Sequence, residues 1–246
     1  MYQLPLETII GQFDLLGITP HTLPNAIGLW PNEQECLVWA ASQCDQNKDW
    51  VEVGSFCGGS TILLGLTKEF WSNTGKVIAI DSNFNPMFDL NIRRSKLSNI
   101  TKIQCESEDL LDHYCPVDDT VSFAFLDGWH SFRSIIREWE NLYGTLTDDA
   151  IIAFHDVSPL MHTHNQEYID LCRKAVSIDW YKLMDDQTQN FRIDEAIAFL
   201  CQDWGYEIID IPVRTDETHF QETGLTEWVR GETSPHNAFT AIRKKK

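Results

Sequence analysis

The sequence predicts an α/β protein: a doubly wound, seven-stranded sheet, mostly parallel, closed by a C-terminal antiparallel hairpin. Three observations lead there. Short apolar runs alternate repeatedly with longer stretches of 3.6-residue periodicity, a glycine-rich turn follows the first run, and the last two runs have no long helix between them. No internal repeat, low-complexity tract or Pro/Ser-rich linker divides the chain.

The elements follow in order. A helix over Asn32–Ser42 opens after Pro31, a residue suited to a helix start. Strands are expected at Trp50–Val53, Lys76–Ile80, Thr101–Cys105, Val121–Leu126 and Ala150–Phe154, each apolar at its centre as a strand covered on both faces must be. Helices at Ser60–Trp71, Met87–Leu97 and Phe132–Tyr143 supply the crossovers. A helix around Ile193–Asp203 then precedes strands at Tyr206–Val213 and Asn237–Arg243.

Composition narrows the function classes. The 246 residues carry a formal charge of −18, which repels phosphate backbones and anionic lipid, so neither nucleic acid nor membrane is expected as a partner. No run approaches about 18 apolar residues, and Met1–Ile10 lacks a basic leader, so the protein is expected in the cytoplasm. Seven cysteines without a C-x-x-C pair argue against a disulfide framework or a zinc site.

Two clusters carry chemistry. The first strand runs into Val51-Glu52-Val53-Gly54-Ser55-Phe56-Cys57-Gly58-Gly59-Ser60, whose glycines let backbone approach a ligand that a Cβ would push away. Asp81 ends the second strand, where an acid can hold both hydroxyls of a ribose. Asp127, in Asp127-Gly128-Trp129-His130-Ser131-Phe132, and the pair His155-Asp156 end the fourth and fifth strands, so all fall on the same carboxyl edge of the sheet. Two carboxylates and two imidazoles there suit a divalent metal, a general base, or both.

The turn, with Phe56 where a nicotinamide-binding motif has its second glycine, resembles the V-E-x-G-x-x-x-G-x-S/T form of the class I S-adenosylmethionine-dependent methyltransferases. The D-G-W-H-S-F and F-H-D-V phrases resemble the small-molecule O-methyltransferase subgroup with D-G-x-H and H-D motifs, relatives of catechol-type, macrolide-sugar and cephalosporin hydroxylase-like proteins. That resemblance implies a Rossmann-like fold in one domain over 1–246: an N-terminal helical cap (1–45), a cofactor-binding core (46–157), a substrate lid (158–195) and a C-terminal helix and hairpin (196–246).

By the same resemblance, S-adenosylmethionine is held by Glu52, Gly54, Ser55, Gly58, Gly59, Ser60, Asp81, Glu106, Ser107 and Asp127. Asp127, His155 and Asp156 become the positions for magnesium or manganese, and His130, His155 and Asp127 the catalytic residues, with His130 first as base. His155 departs from the relatives' paired oxygen ligands and leaves three arrangements open: a nitrogen-tolerant metal, a metal held by Asp127 and Asp156 with waters, or a histidine base without metal. The expected reaction methylates a hydroxyl of a natural product or sugar. Metal-independent methyl transfer and a cofactor-binding hydroxylase-like protein stand as alternatives, and a homo-oligomer stays open. His162 and His164 read as an exposed loop pair, and Trp30, Trp129, Phe132, Trp180 and Trp228 as candidates for an aromatic wall, although core packing is the commoner role for any single one.

Overall fold

The computed structural model describes residues 3–16, 29, 31–71, 74–114, 120–157, 193–211 and 239–246. Its elements are α1 (Gln3–Leu15), α2 (Pro31–Ser42), β1 (Asp49–Val53), α3 (Gly59–Trp71), β2 (Val77–Asp81), α4 (Met87–Ser95) and β3 (Ile100–Gln104). A 3-10 turn (Ser107–Asp109), α5 (Leu110–His113), β4 (Val121–Leu126), α6 (Phe132–Tyr143), β5 (Leu146–Phe154), α7 (Ile193–Asp203), β6 (Tyr206–Ile208) and β7 (Thr240–Lys244) follow. The expected helices at 132–143 and 193–203 are found at those limits.

Seven strands form one sheet in the order β3-β2-β1-β4-β5-β7-β6. The first five are parallel, while β7 runs antiparallel to both β5 and β6 and lies between them. The strand order reverses between β1 and β4, so the crevice at their carboxyl ends is where a doubly wound sheet takes its ligand. Alternation along β4 builds the two layers of core: Phe123 and Phe125 join Trp50 and residues of α1, α2 and α3, whereas Ala124 and Leu126 join α6 and α7.

One buried charge ties the amino ends of the layers together. Lys68, in α3, is fully buried with its Nζ 4.0 Å from the centre of the Trp50 ring. The same nitrogen donates to the carbonyls of Gln46 (3.1 Å) and Lys48 (2.6 Å), closing the loop that enters β1. Trp50 Nε1 in turn donates to Ser122 Oγ at 3.2 Å, linking β1 to β4.

The boundaries differ from expectation where polar residues enter a ladder. β5 starts at Leu146, not Ala150, because Leu146 pairs with Val121 before the register shifts to Phe123 opposite Ile151. Thr147 and Asp149 accommodate the irregularity through a 2.9 Å side-chain hydrogen bond. α4 stops at Ser95 because Lys96 is left-handed at φ 60°. β6 pairs only over Tyr206–Ile208, and β7 begins at Thr240. The lid expected at 158–195 lies outside the described residues up to 192, and 193–195 belong to α7. His162, His164, Trp30, Trp180 and Trp228 also lie outside them. Among the described residues no helix is long and apolar enough to cross a membrane.

Candidate active site

The glycine turn after β1 is shaped by contacts on both sides. Gly54 has φ 91°, and a Cβ there would come within 2.1 Å of the Asp127 carbonyl, so the turn and the end of β4 are pressed together. Gly58, at φ 81°, would aim a Cβ at the ring of Phe88, 2.9 Å away. Phe56 sits at φ 39°, a sparsely populated conformation for a residue with a side chain, and its ring is half exposed. This geometry turns Phe56 N toward Asp81, donating to Oδ2 at 2.8 Å. Asn83 N donates to Oδ1 at 2.8 Å, so both carboxylate oxygens of Asp81 are oriented by backbone while lone pairs remain for a ligand.

Glu52 supports this turn from behind. It is fully buried, and its Oε2 accepts hydrogen bonds from Ser55 Oγ (2.8 Å) and Thr61 Oγ1. Burial pushes its carboxyl up to about 7 against the lowering effect of the hydroxyls of Ser60, Thr61 and Ser55. Ser55, Gly59 and Ser60 are buried with it.

In front of the turn lies a cavity of about 640 Å³ lined by Gly54, Asp81, Glu106, Ser107, Asp127 and Trp129, with Arg133 at its side. Ser107 opens the 3-10 turn, and its carbonyl accepts from Asn141 Nδ2 at 3.0 Å, which fixes this wall to α6. Ser131 caps α6 by accepting from Ser134 N at 3.1 Å and so sets the direction of the Asp127–His130 loop.

Beside the cavity five side chains form an alternating line of acids and imidazoles. Asp156 Oδ2 lies 3.1 Å from His130 Nδ1, and His130 Nε2 lies 3.4 Å from Asp127 Oδ1. Asp127 Oδ1 also lies 3.0 Å from His155 Nδ1, and His155 Nε2 lies 3.1 Å from Glu33 Oε2. The line runs from the part-exposed Asp156 inward to Glu33, which is fully buried on α2. Asp156 occupies the left-handed region at φ 55°, which an aspartate tolerates better than most residues.

The charges follow from the geometry. Burial pulls the His155 imidazole down, but the carboxylates of Asp127 and Glu33 outweigh it and raise the group to about 11. An imidazole with a carboxylate at each nitrogen donates twice, so His155 is a buried imidazolium. Burial pushes Asp127 up, and His155 with His130 reverses this to leave it below the ordinary aspartate range. His130 is raised by its hydrogen bond to Asp127, against burial, with Asp156 adding to the effect.

The arrangement regroups the residues expected from sequence. Gly54, Asp81, Glu106, Ser107 and Asp127 face the cavity, while Glu52, Ser55, Gly58, Gly59 and Ser60 are placed as its support. Donor atoms of Asp127, His130 and Asp156 lie within 4.8 Å of one another, a spacing that suits a metal ion. His155, expected among the ligands and bases, has Nδ1 3.0 Å from Asp127 Oδ1 and Nε2 3.1 Å from Glu33 Oε2. Glu33 was not foreseen: an acid in the first turn of a helix ordinarily reads as a partner for the helix dipole.

Comparison with known proteins adds to this picture. A family profile described as "Methyltransferase domain" matches residues 51–157. No curated protein matches the chain at a significant level. Among solved structures, the chain resembles an S-adenosylhomocysteine-bound methyltransferase from Podospora anserina (TM-score 0.56, 11% identity, covering 98% of this chain and 88% of that one). It also resembles the O-methyltransferase from Bacillus cereus in complex with S-adenosylhomocysteine (TM-score 0.53, 12% identity, covering 99% and 92%). At these identities the likeness is one of fold.

Proposed function

Since residues 51–157 match a methyltransferase domain, we propose that this chain is a class I S-adenosylmethionine-dependent enzyme that methylates a hydroxyl oxygen of a small molecule with the help of a divalent metal. The observation that carries this reading is the double role of Asp127. It lines the cavity and also belongs to the Asp127–His130–Asp156 group, so a ligand in the cavity and an acceptor at that group would meet at one side chain.

The cavity suits the cofactor's parts. Asp81, held by two backbone N–H groups, offers its remaining lone pairs to ribose hydroxyls, and Glu106 with Ser107 borders the adenine end. Gly54 keeps the turn flush against the end of β4 and lines the cavity, the place this reading gives to the methionine part. When bound, S-adenosylmethionine supplies an electrophilic methyl group, and the chain's task is to align an oxygen with it and dispose of the proton.

Asp127, His130 and Asp156 fit a mixed nitrogen and oxygen site of the manganese type better than an all-oxygen magnesium site. When bound there, the ion would supply Lewis acidity that lowers the pKa of the acceptor hydroxyl. A second reading makes His130 the base without metal: its Nε2 lies 3.4 Å from Asp127 Oδ1, a longer contact than either that holds His155, and would take the acceptor's proton once the acceptor displaces that contact. His155 takes neither role and is retained as the support of Asp127.

The experiment is methyl transfer from S-adenosylmethionine to a panel of phenols, catechols and sugars, read as S-adenosylhomocysteine released, with chelator or added Mn²⁺. Chelator is expected to abolish turnover and Mn²⁺ to restore it. Asp127→Asn is expected to lose about 10²-fold or more of turnover while binding of S-adenosylhomocysteine stays within about threefold, because Asp81 and the glycine turn remain. Full activity in chelator would assign the proton to His130; unchanged turnover in Asp127→Asn would overturn both variants.

A further inference from the structure

Glu33 belongs to no part of the parallel core, yet it reaches the centre of the site. It sits on α2, is fully buried, and places Oε2 3.1 Å from His155 Nε2 across 122 residues of sequence. At the other side of the ring, Nδ1 lies 3.0 Å from Asp127 Oδ1. A histidine ring with one hydrogen bond can still turn about its last side-chain torsion, which is broad and roughly two-fold. A ring bonded at opposite nitrogens to two separate elements is fixed.

Fixing the ring fixes the acid. Asp127 Oδ1 is the oxygen that His155 engages, so the plane of the Asp127 carboxylate, and hence what it presents to the cavity and to His130 and Asp156, depends on where His155 points. In metal sites, outer groups that orient the ligands are worth about 10- to 100-fold in metal affinity when removed. We propose that Glu33 is a positioning residue for Asp127, acting through His155, and so joins α2 to the reacting end of the sheet. This rests on the reading of Asp127 as a metal and acceptor position.

The test uses the full chain as wild type, Glu33→Ala and Glu33→Gln. Three quantities are measured: S-adenosylhomocysteine affinity by calorimetry, Mn²⁺ affinity from the electron paramagnetic resonance of the free ion, and the slowly exchanging imidazole N–H proton identified by its loss in His155→Gln. Glu33→Ala is expected to bind S-adenosylhomocysteine within about twofold of wild type, to lose about 10- to 100-fold in Mn²⁺ affinity, and to lose the N–H resonance. Glu33→Gln keeps an acceptor oxygen at the same reach and is expected to hold Mn²⁺ within about threefold.

Wild-type Mn²⁺ affinity in Glu33→Ala, or a persisting resonance, overturns the positioning role. If wild type binds S-adenosylhomocysteine but no Mn²⁺, the metal reading fails separately, and the resonance alone decides whether Glu33 positions the ring. If Glu33→Ala does not fold, Glu33→Asp replaces it. An acid one methylene too short is expected to bind Mn²⁺ or keep the resonance less well than Gln; the reverse order means that charge, not placement, matters, and rejects the proposal.

Discussion

At Asp81 the backbone does the aiming, since Phe56 N and Asn83 N each hold one carboxylate oxygen. Asp81→Ala is therefore expected to weaken S-adenosylhomocysteine binding by about 1.5 to 3 kcal/mol, the scale for losing hydrogen bonds to a charged group; calorimetry giving wild-type affinity would remove the ribose assignment. Glu52 makes a different prediction, about pH. Burial holds its carboxyl at about 7 in the folded chain against an ordinary 4.5, so the folded state binds that proton more tightly than the unfolded one. The stability it contributes is complete below pH 4.5 and is lost as pH rises through about 7, up to about 3 kcal/mol in all. Urea unfolding at pH 5 and pH 8 should show this decline in wild type and a flatter profile in Glu52→Gln. Parallel profiles would refute the linkage. Much of this was readable beforehand, because a carboxylate at an apolar strand end and an acid after the next strand are local signals. The partnership of Glu33 with His155 was not, because nothing local to α2 announces a contact so distant in the chain.

The elements were legible where one periodicity ruled. α6 and α7 were found at their expected limits because an apolar stripe and sharp ends define them, whereas β5 begins four residues early because a bulge lets Thr147, Asp148 and Asp149 enter the strand despite their turn-like chemistry. Lys68 was equally opaque from sequence, since a lysine inside a helix ordinarily reaches solvent. In α3 it is buried instead, with Nζ on two backbone carbonyls and close over Trp50. Lys68→Met keeps the length and apolar stem but leaves those carbonyls without their donor, which is expected to cost about 2 to 3 kcal/mol of stability. Denaturant unfolding is the measurement, and a loss below about 0.5 kcal/mol, within the range of ordinary surface substitutions, would mean that water satisfies the carbonyls.

The whole molecule carries a charge of −18, and its self-repulsion opposes the compact state. Raising ionic strength from about 10 mM to about 150 mM shortens the screening length from about 30 Å to about 8 Å, so the thermal midpoint is expected to rise with salt. A midpoint unmoved by sodium chloride would show that the acids are already locally compensated. The sheet order has a consequence in time as well. Among the described residues β6 pairs with β7 alone, and β7 lies between it and β5, yet residues 206–208 are synthesised before 240–244. A ribosome therefore delivers β6 before the strand it needs exists, and β5 emerges with one side unclaimed. The order of manufacture is not the order of assembly, and during that interval the nascent chain exposes a strand edge that another chain, or a chaperone, can occupy.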